Sequence, residues 1–148
     1  MIQSFAEEFV FRGFLYQHLS KMKGLSYGII VTNIIFALLH SFNKGNNIFS
    51  FVNIFLIGTA FNIIMLITKN IVTSSAIHAG WNFLNQIVFG LPNSGLVAKD
   101  TIIPSVLDNN SLWVSSMNGA EGGFAATIVL LIFLSSVFAL YRVKVIKK

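Results

Sequence analysis

The sequence predicts an all-α protein, a multi-pass transmembrane helical bundle with about five membrane helices. Of its 148 residues, 55% are hydrophobic and only 10% charged. The mean hydropathy is +0.76, more apolar than a water-soluble domain of this length can bury. Several apolar runs also approach the roughly 20 residues that a helix needs to cross the hydrocarbon layer.

The runs occupy residues 2–19, 27–40, 48–67, 71–91 and 123–141. The first is not a signal peptide: it lacks a basic start and a small-residue cleavage site, and it carries acids where the apolar run should be. Lys21 and Lys23 follow it, Lys69 follows the third run, and Arg142, Lys144, Lys147 and Lys148 follow the fifth, whereas the alternate connections carry Lys44 and Lys99. The positive-inside rule makes the larger basic set cytoplasmic in a multi-pass protein of the cell membrane. The net charge of +5 is then mostly topology, and no nucleic-acid partner is expected. This orientation starts the chain on the outer side, so further helices are expected upstream of a single membrane domain covering 1–148. Residues 92–122, rich in Asn, Ser, Gly and Asp, read as an outer polar loop with Trp113 as an interfacial anchor. The chain has no cysteine, which excludes disulfides and thiol catalysis.

Three full charges stand inside the first run, in "SFAEEFVFRGFLYQ". An ionised side chain at the bilayer centre costs roughly 2.5–3.5 kcal/mol and usually pairs or faces a cavity. On an α-helix Arg12 lies about 40° around from Glu8 and about 140° from Glu7. Glu8 and Arg12 can therefore pair, and a carboxylate held by arginine is a poor proton acceptor. Glu7, pointing elsewhere, is the better base.

His40 closes the second run in "FALLH", and His78 lies in the fourth with Asn82 on the same face four residues later. The first two helices should be antiparallel, which puts Glu7 and His40 at similar depth. His78 sits nearer the opposite end of its own run and fits less well. His18 reads as an interfacial residue, and Ser74 and Ser75 as small packing residues. Asn33, Asn53, Asn62 and Asn85 read as hydrogen bonders between helices.

The constellation supports two chemistries. Glu7, His40 and His78 are an open ligand set for a divalent metal such as zinc, which polarises water. Alternatively Glu7 with His40 activates water directly, while His78 and Asn82 stabilise the oxyanion formed when a peptide carbonyl is attacked. Both end in peptide hydrolysis. The chain has no HExxH motif, and Asp100 and Asp108 lie in the polar loop.

Taken in order, "EEFVFR" (EExxxR), "FALLH" (FxxxH) and "HAGWN" (HxxxN) resemble the CPBP family of intramembrane proteases, which includes the type II CAAX prenyl proteases and the bacterial Abi proteins of bacteriocin self-immunity. The resemblance implies a multi-helix membrane fold with a conical cavity and Glu7 as the base. It implies His40 as the partner in water activation or a metal ligand, and His78 and Asn82 as the oxyanion site, or His78 as a further ligand. Glu8 and Arg12 would be structural. The expected function is an intramembrane endopeptidase that hydrolyses a peptide bond by glutamate-activated water, with membrane lipid around it and a peptide or membrane-protein tail as substrate. The alternative is a non-catalytic bacteriocin-immunity membrane protein, and an ion or proton pathway is a third reading of the same polar residues.

Overall fold

A computed structural model describes residues 2–94, 96–108 and 111–146. The protein is all-α, with five helices. Helix α1 covers 2–23, α2 Leu25–His40, α3 Ile48–Thr68, α4 71–88 and α5 Phe124–Ile146, with a short 3-10 turn at Ala120–Gly122. Among the described residues there is no strand, only the isolated bridges Asn93–Leu96 and Ser115–Gly119.

Local chemistry sets the ends of these helices. Gly24, at φ 91°, breaks α1 from α2 in a conformation a side chain would resist. The turn is tight, because a Cβ on Gly28 would fall 2.0 Å from Ser20 Oγ. Asn47 and Ser50 form a capping box on α3, each side chain accepting from the other's backbone N–H. Lys69 ends α3 in the left-handed region, and the Asn70 side chain then accepts from Val72 N–H to start α4.

Helix α3 is the centre of the bundle. Ile57, Phe61, Ile63 and Ile64 pack with Leu130 and Val137 of α5, while Ile54 packs with Phe11 of α1 and Phe36 and Ala37 of α2. Polar links bind the segment before α5 to the first turns of α3. Asn53 Nδ2 donates to the Glu121 and Gly123 carbonyls, and its Oδ1 accepts from Thr127 Oγ1. Asn118 Nδ2 donates to Ser50 Oγ.

Two helices, Ile48–Thr68 and Phe124–Ile146, are long and apolar enough to cross a membrane, and Leu25–His40 is a shorter apolar helix. Helix α5 buries only Ala126, Leu130 and Val137. Phe133, Leu134 and Tyr141 pack partly against the core, while many other apolar side chains, Ile132 and Leu140 among them, are exposed, as suits a helix facing an apolar medium.

Several expected boundaries move. Lys21 and Lys23 fall in the last turn of α1 rather than after it, and α5 continues through Arg142 and Lys144. Lys147 and Lys148 lie outside the described residues. Lys21 and Lys69 line one cavity and Lys69 and Lys144 another, so these bases gather at one end of the bundle. The described residues from 92 to 119 form no helix, and Trp113 is exposed, with its ring 5.7 Å from that of Phe124.

Candidate active site

Helix α1 carries the first part of the site on an interrupted winding. Residues Phe9–Leu15 form a π-helix, in which Tyr16 N–H bonds to the Phe11 carbonyl five residues back. Such widened turns are uncommon and tend to occur at functional sites. Gly13 lies in this segment, and a Cβ there would stand 3.1 Å from Ile71 Cδ1, so its absence lets the start of α4 approach α1.

Helices α1 and α4 run antiparallel, pairing Ser4 with Asn82, Glu8 with His78 and Gly13 with Ile71. This pairing resolves the misfit expected for His78. Helix α4 does not start level with the far end of α1 but at Gly13, so His78 is lifted to the depth of Glu8.

Glu8 and Arg12 are fully buried and joined Nη1 to Oε1 at 3.0 Å, as their spacing predicts. The ion pair extends into a network. Arg12 Nη2 donates to Asn33 Oδ1 at 3.2 Å, and Asn33 Nδ2 donates to Thr59 Oγ1. The guanidinium lies 4.5 Å from the Phe36 ring centroid, a cation–π contact strengthened by exclusion of water. Gly58 makes the room, since a Cβ there would stand 2.7 Å from both Arg12 Nη2 and Asn33 Oδ1. Glu8 Oε1 also accepts from His78 Nδ1 at 3.0 Å.

Glu7 points away from this pair, as expected. Gln3 Nε2 donates to its Oε1 at 2.9 Å. Its Oε2 faces His40 Nε2 at 3.9 Å and His78 Nε2 at 3.8 Å. Each separation exceeds a direct hydrogen bond and is one that a water could bridge between Glu7 and that histidine. The far side of each ring is fixed. His40 Nδ1 meets the Phe36 carbonyl at 2.8 Å, an acceptor only, so it must carry the proton. His78 Nδ1 likewise faces a carboxylate, and its ring stacks on Phe61 at 5.1 Å. Glu7 and His40 open onto a cleft of about 390 Å³ lined also by Gln3, Phe11, Leu39, Asn43, Ser94 and Leu96.

Asn82 is near this centre but otherwise engaged. Its Nδ2 donates to Ser4 Oγ at 3.2 Å, and its Oδ1 accepts from Asn93 Nδ2 at 2.9 Å. Other polar residues take the places read from the sequence with two exceptions. Asn33 and Asn53 bridge helices, whereas Asn85 donates to the Trp81 carbonyl of its own helix and Asn62 is buried with no side-chain hydrogen bond. Ser74 Oγ donates to the Ile71 carbonyl, and His18 is exposed beside Phe14.

One acid of the site was not anticipated. Glu121, in the short 3-10 turn before α5, is buried and lines a small cavity together with His40, His78, Phe36 and Trp81. Its Oε1 accepts from Trp81 Nε1 at 3.3 Å, and its Oε2 accepts from Ser94 N and Oγ at 3.1 and 3.2 Å. Burial pushes its carboxyl above the usual carboxylate range, opposed by the Ser94 and Trp81 hydrogen bonds and by nearby His40. Nothing in its sequence neighbourhood, a Gly- and Asn-rich loop, signals this position.

By donor type, Glu7, His40 and His78 suit zinc, and imidazoles anchored through Nδ1–H are what metal-bound histidines require. Their separations would have to contract by about half an ångström for donors at about 2.0–2.2 Å. Among the described residues no three His, Asp or Glu side chains stand close enough to hold an ion.

Neither a curated protein nor a solved structure matches the chain. Residues 1–84, which contain Glu7, Glu8, Arg12, His40, His78 and Asn82, match the family described as Type II CAAX prenyl endopeptidase Rce1-like. Helices α1 to α4 thus carry both the convergent side chains and the matched segment, and the chain belongs to this membrane-embedded protease family.

Proposed function

We propose that the protein is an intramembrane endopeptidase in which Glu7 deprotonates a water that then attacks a peptide carbonyl. The observation that carries this reading is the approach of one carboxylate oxygen, Glu7 Oε2, to both Nε2 atoms at 3.9 and 3.8 Å beside an open cleft.

A count of protons refines the mechanism. With both Nδ1 protons committed, neutral imidazoles present lone pairs at Nε2. A water shared by these two nitrogens and Glu7 Oε2 would meet three acceptors, and a water has two protons to give. One more proton, or a cation, resolves the mismatch. A proton on His78 Nε2 is the better fit, because the Glu8 carboxylate backs the Nδ1–H of that ring. His78 is then a donor, suited to the oxyanion, while Glu7 and His40 orient the water. As hydroxide adds to the carbonyl carbon, Glu7 takes the water proton, and His78 Nε2–H and the second N–H of Asn82 receive the developing charge. When the C–N bond breaks, the proton on Glu7 passes to the leaving nitrogen, giving a carboxyl terminus and an amine.

A zinc ion would satisfy the three acceptors in another way. Glu7, His40 and His78 would hold it, and when bound it would polarise the attacking water. Chelator-washed protein in zinc-free buffer separates the routes. The proton route predicts that cleavage of membrane peptides in lipid vesicles survives the wash. Loss of cleavage that stoichiometric zinc restores would contradict it.

In this reading the bundle crosses the membrane several times, with Lys21, Lys69 and Lys144 at the cytoplasmic end. The Glu7 end lies toward the outer side, and the substrate is a peptide or membrane-protein segment reaching the cleft. His40→Ala and His78→Ala should each lower cleavage at least a hundredfold, the scale of a lost acid–base or oxyanion group. A protein that cleaves undiminished after either change would refute the assignment.

A further inference from the structure

Glu121 lies beyond the family-matched residues 1–84, yet it lines a cavity with both site histidines. It is buried, and both of its oxygens are taken by protein donors. Those donors are two distinct structures. Trp81 belongs to α4, one residue before Asn82. Ser94 belongs to the turn that follows α4, and it adopts φ 51°, a conformation that a non-glycine residue rarely holds without outside support.

The turn leads back to the site. Asn93 directly precedes Ser94 in this turn, so the backbone that Glu121 holds at Ser94 N–H also places Asn93, whose Nδ2 donates to Asn82 Oδ1 at 2.9 Å. Asn82 Nδ2 in turn donates to Ser4 Oγ on α1, one helical turn before Glu8. Because Asn93 fixes the oxygen of the Asn82 amide, it fixes which way the amide nitrogen faces. Glu121 is itself held from behind, since its own backbone carbonyl accepts from Asn53 Nδ2 of α3. A chain of contacts therefore runs from the central helix through Glu121, Ser94 and Asn93 to Asn82.

We infer that Glu121 is a positioning residue of the peptidase site, which clamps the left-handed Ser94 turn onto α4 and through Asn93 orients the Asn82 amide. The inference rests on the peptidase reading for what Asn82 does, but the clamp itself does not. Its partners are all donors, Trp81 Nε1–H, Ser94 N–H and Ser94 Oγ–H, and its two carboxyl oxygens accept all three. Glutamine has the same shape but must turn an NH₂ group toward at least one of them.

The test uses the full chain in lipid, with a cleavage assay and the side-chain amide resonance of Asn82 in asparagine-labelled protein. Glu121→Gln is expected to lower kcat about tenfold with KM unchanged, because an oxyanion donor acts in the transition state. It should also shift the Asn82 resonance. Ser94→Ala, a milder change in the turn that keeps the backbone N–H bond to Glu121, should reproduce both effects at smaller size. In a double-mutant cycle, Glu121→Gln should cost little once Asn82 is alanine. Fully additive losses, or an Asn82 resonance unmoved in both Glu121→Gln and Ser94→Ala, would overturn the inference. A shifted resonance in a protein whose wild-type form cleaves nothing would retain the clamp and reject the peptidase reading instead.

Discussion

Glu8 and Glu7 are adjacent and chemically identical, and the fold gives them different surroundings. Glu8 is wholly buried against Arg12 and His78, whereas Glu7 is partly exposed at the cleft. Arg12→Met would leave the buried Glu8 charge without its main partner and should destabilise the protein by about 3–5 kcal/mol. The double change with Glu8→Gln should cost much less, since no uncompensated charge then remains, and denaturant titration in detergent reads both. Glu121 should make the stability depend on pH. Burial raises its pKa in the fold, so the stability it contributes is present at low pH. That contribution is lost as pH rises from the ordinary carboxylate range through the raised value. The melting temperature should fall over that window, and Glu121→Gln should flatten the fall even if it lowers the melting temperature at every pH. At this scale Glu7, Glu8 and Arg12 were legible because helical spacing alone separates them. Glu121 was not, since its burial depends on Trp81 and Ser94 arriving from another part of the chain.

Among the elements, the pairing of α1 with α4 decides whether there is a site at all. Apolar run lengths gave nearly correct helix limits, but they carry no information about how far one helix is shifted along another. The shift comes from the close approach at Gly13 and Ile71 and from the Ser4–Asn82 and Glu8–His78 bonds. Nor does a hydrophobic pattern reveal the π-helix at Phe9–Leu15, where the backbone bonding changes without a change in composition. Helix α3 contributes through an absence, the missing Cβ of Gly58. Gly58→Ala would place a methyl group 2.7 Å from Arg12 Nη2 and Asn33 Oδ1, an overpacking that costs typically about 1–3 kcal/mol. The displaced Arg12 would carry Glu8 and hence His78 with it. Cleavage should therefore fall more than tenfold under conditions where thermal melting shows the variant still folded.

For the whole molecule, the all-α bundle follows from composition, because so apolar a chain cannot hide its side chains in a core of this size. Helix α5 shows the consequence, with apolar side chains outward along its length. Ile132→Arg, on that exposed face, should disfavour insertion by roughly 2.5–3.5 kcal/mol near the helix centre, read as a loss of the membrane-integrated fraction. The 92–122 segment reads as a polar loop, and what its composition does not reveal is that Asn53, Asn47 and Ser50 of the α3 end hold it by hydrogen bonds. The central claim is that Glu7 activates the water. It is tested most directly by the cleavage rate of a membrane peptide in lipid vesicles by purified wild-type protein and by Glu7→Gln, which keeps the side-chain shape and the bond from Gln3. The account predicts a loss of about 10²–10⁴-fold in kcat. Equal rates for the two proteins would contradict it.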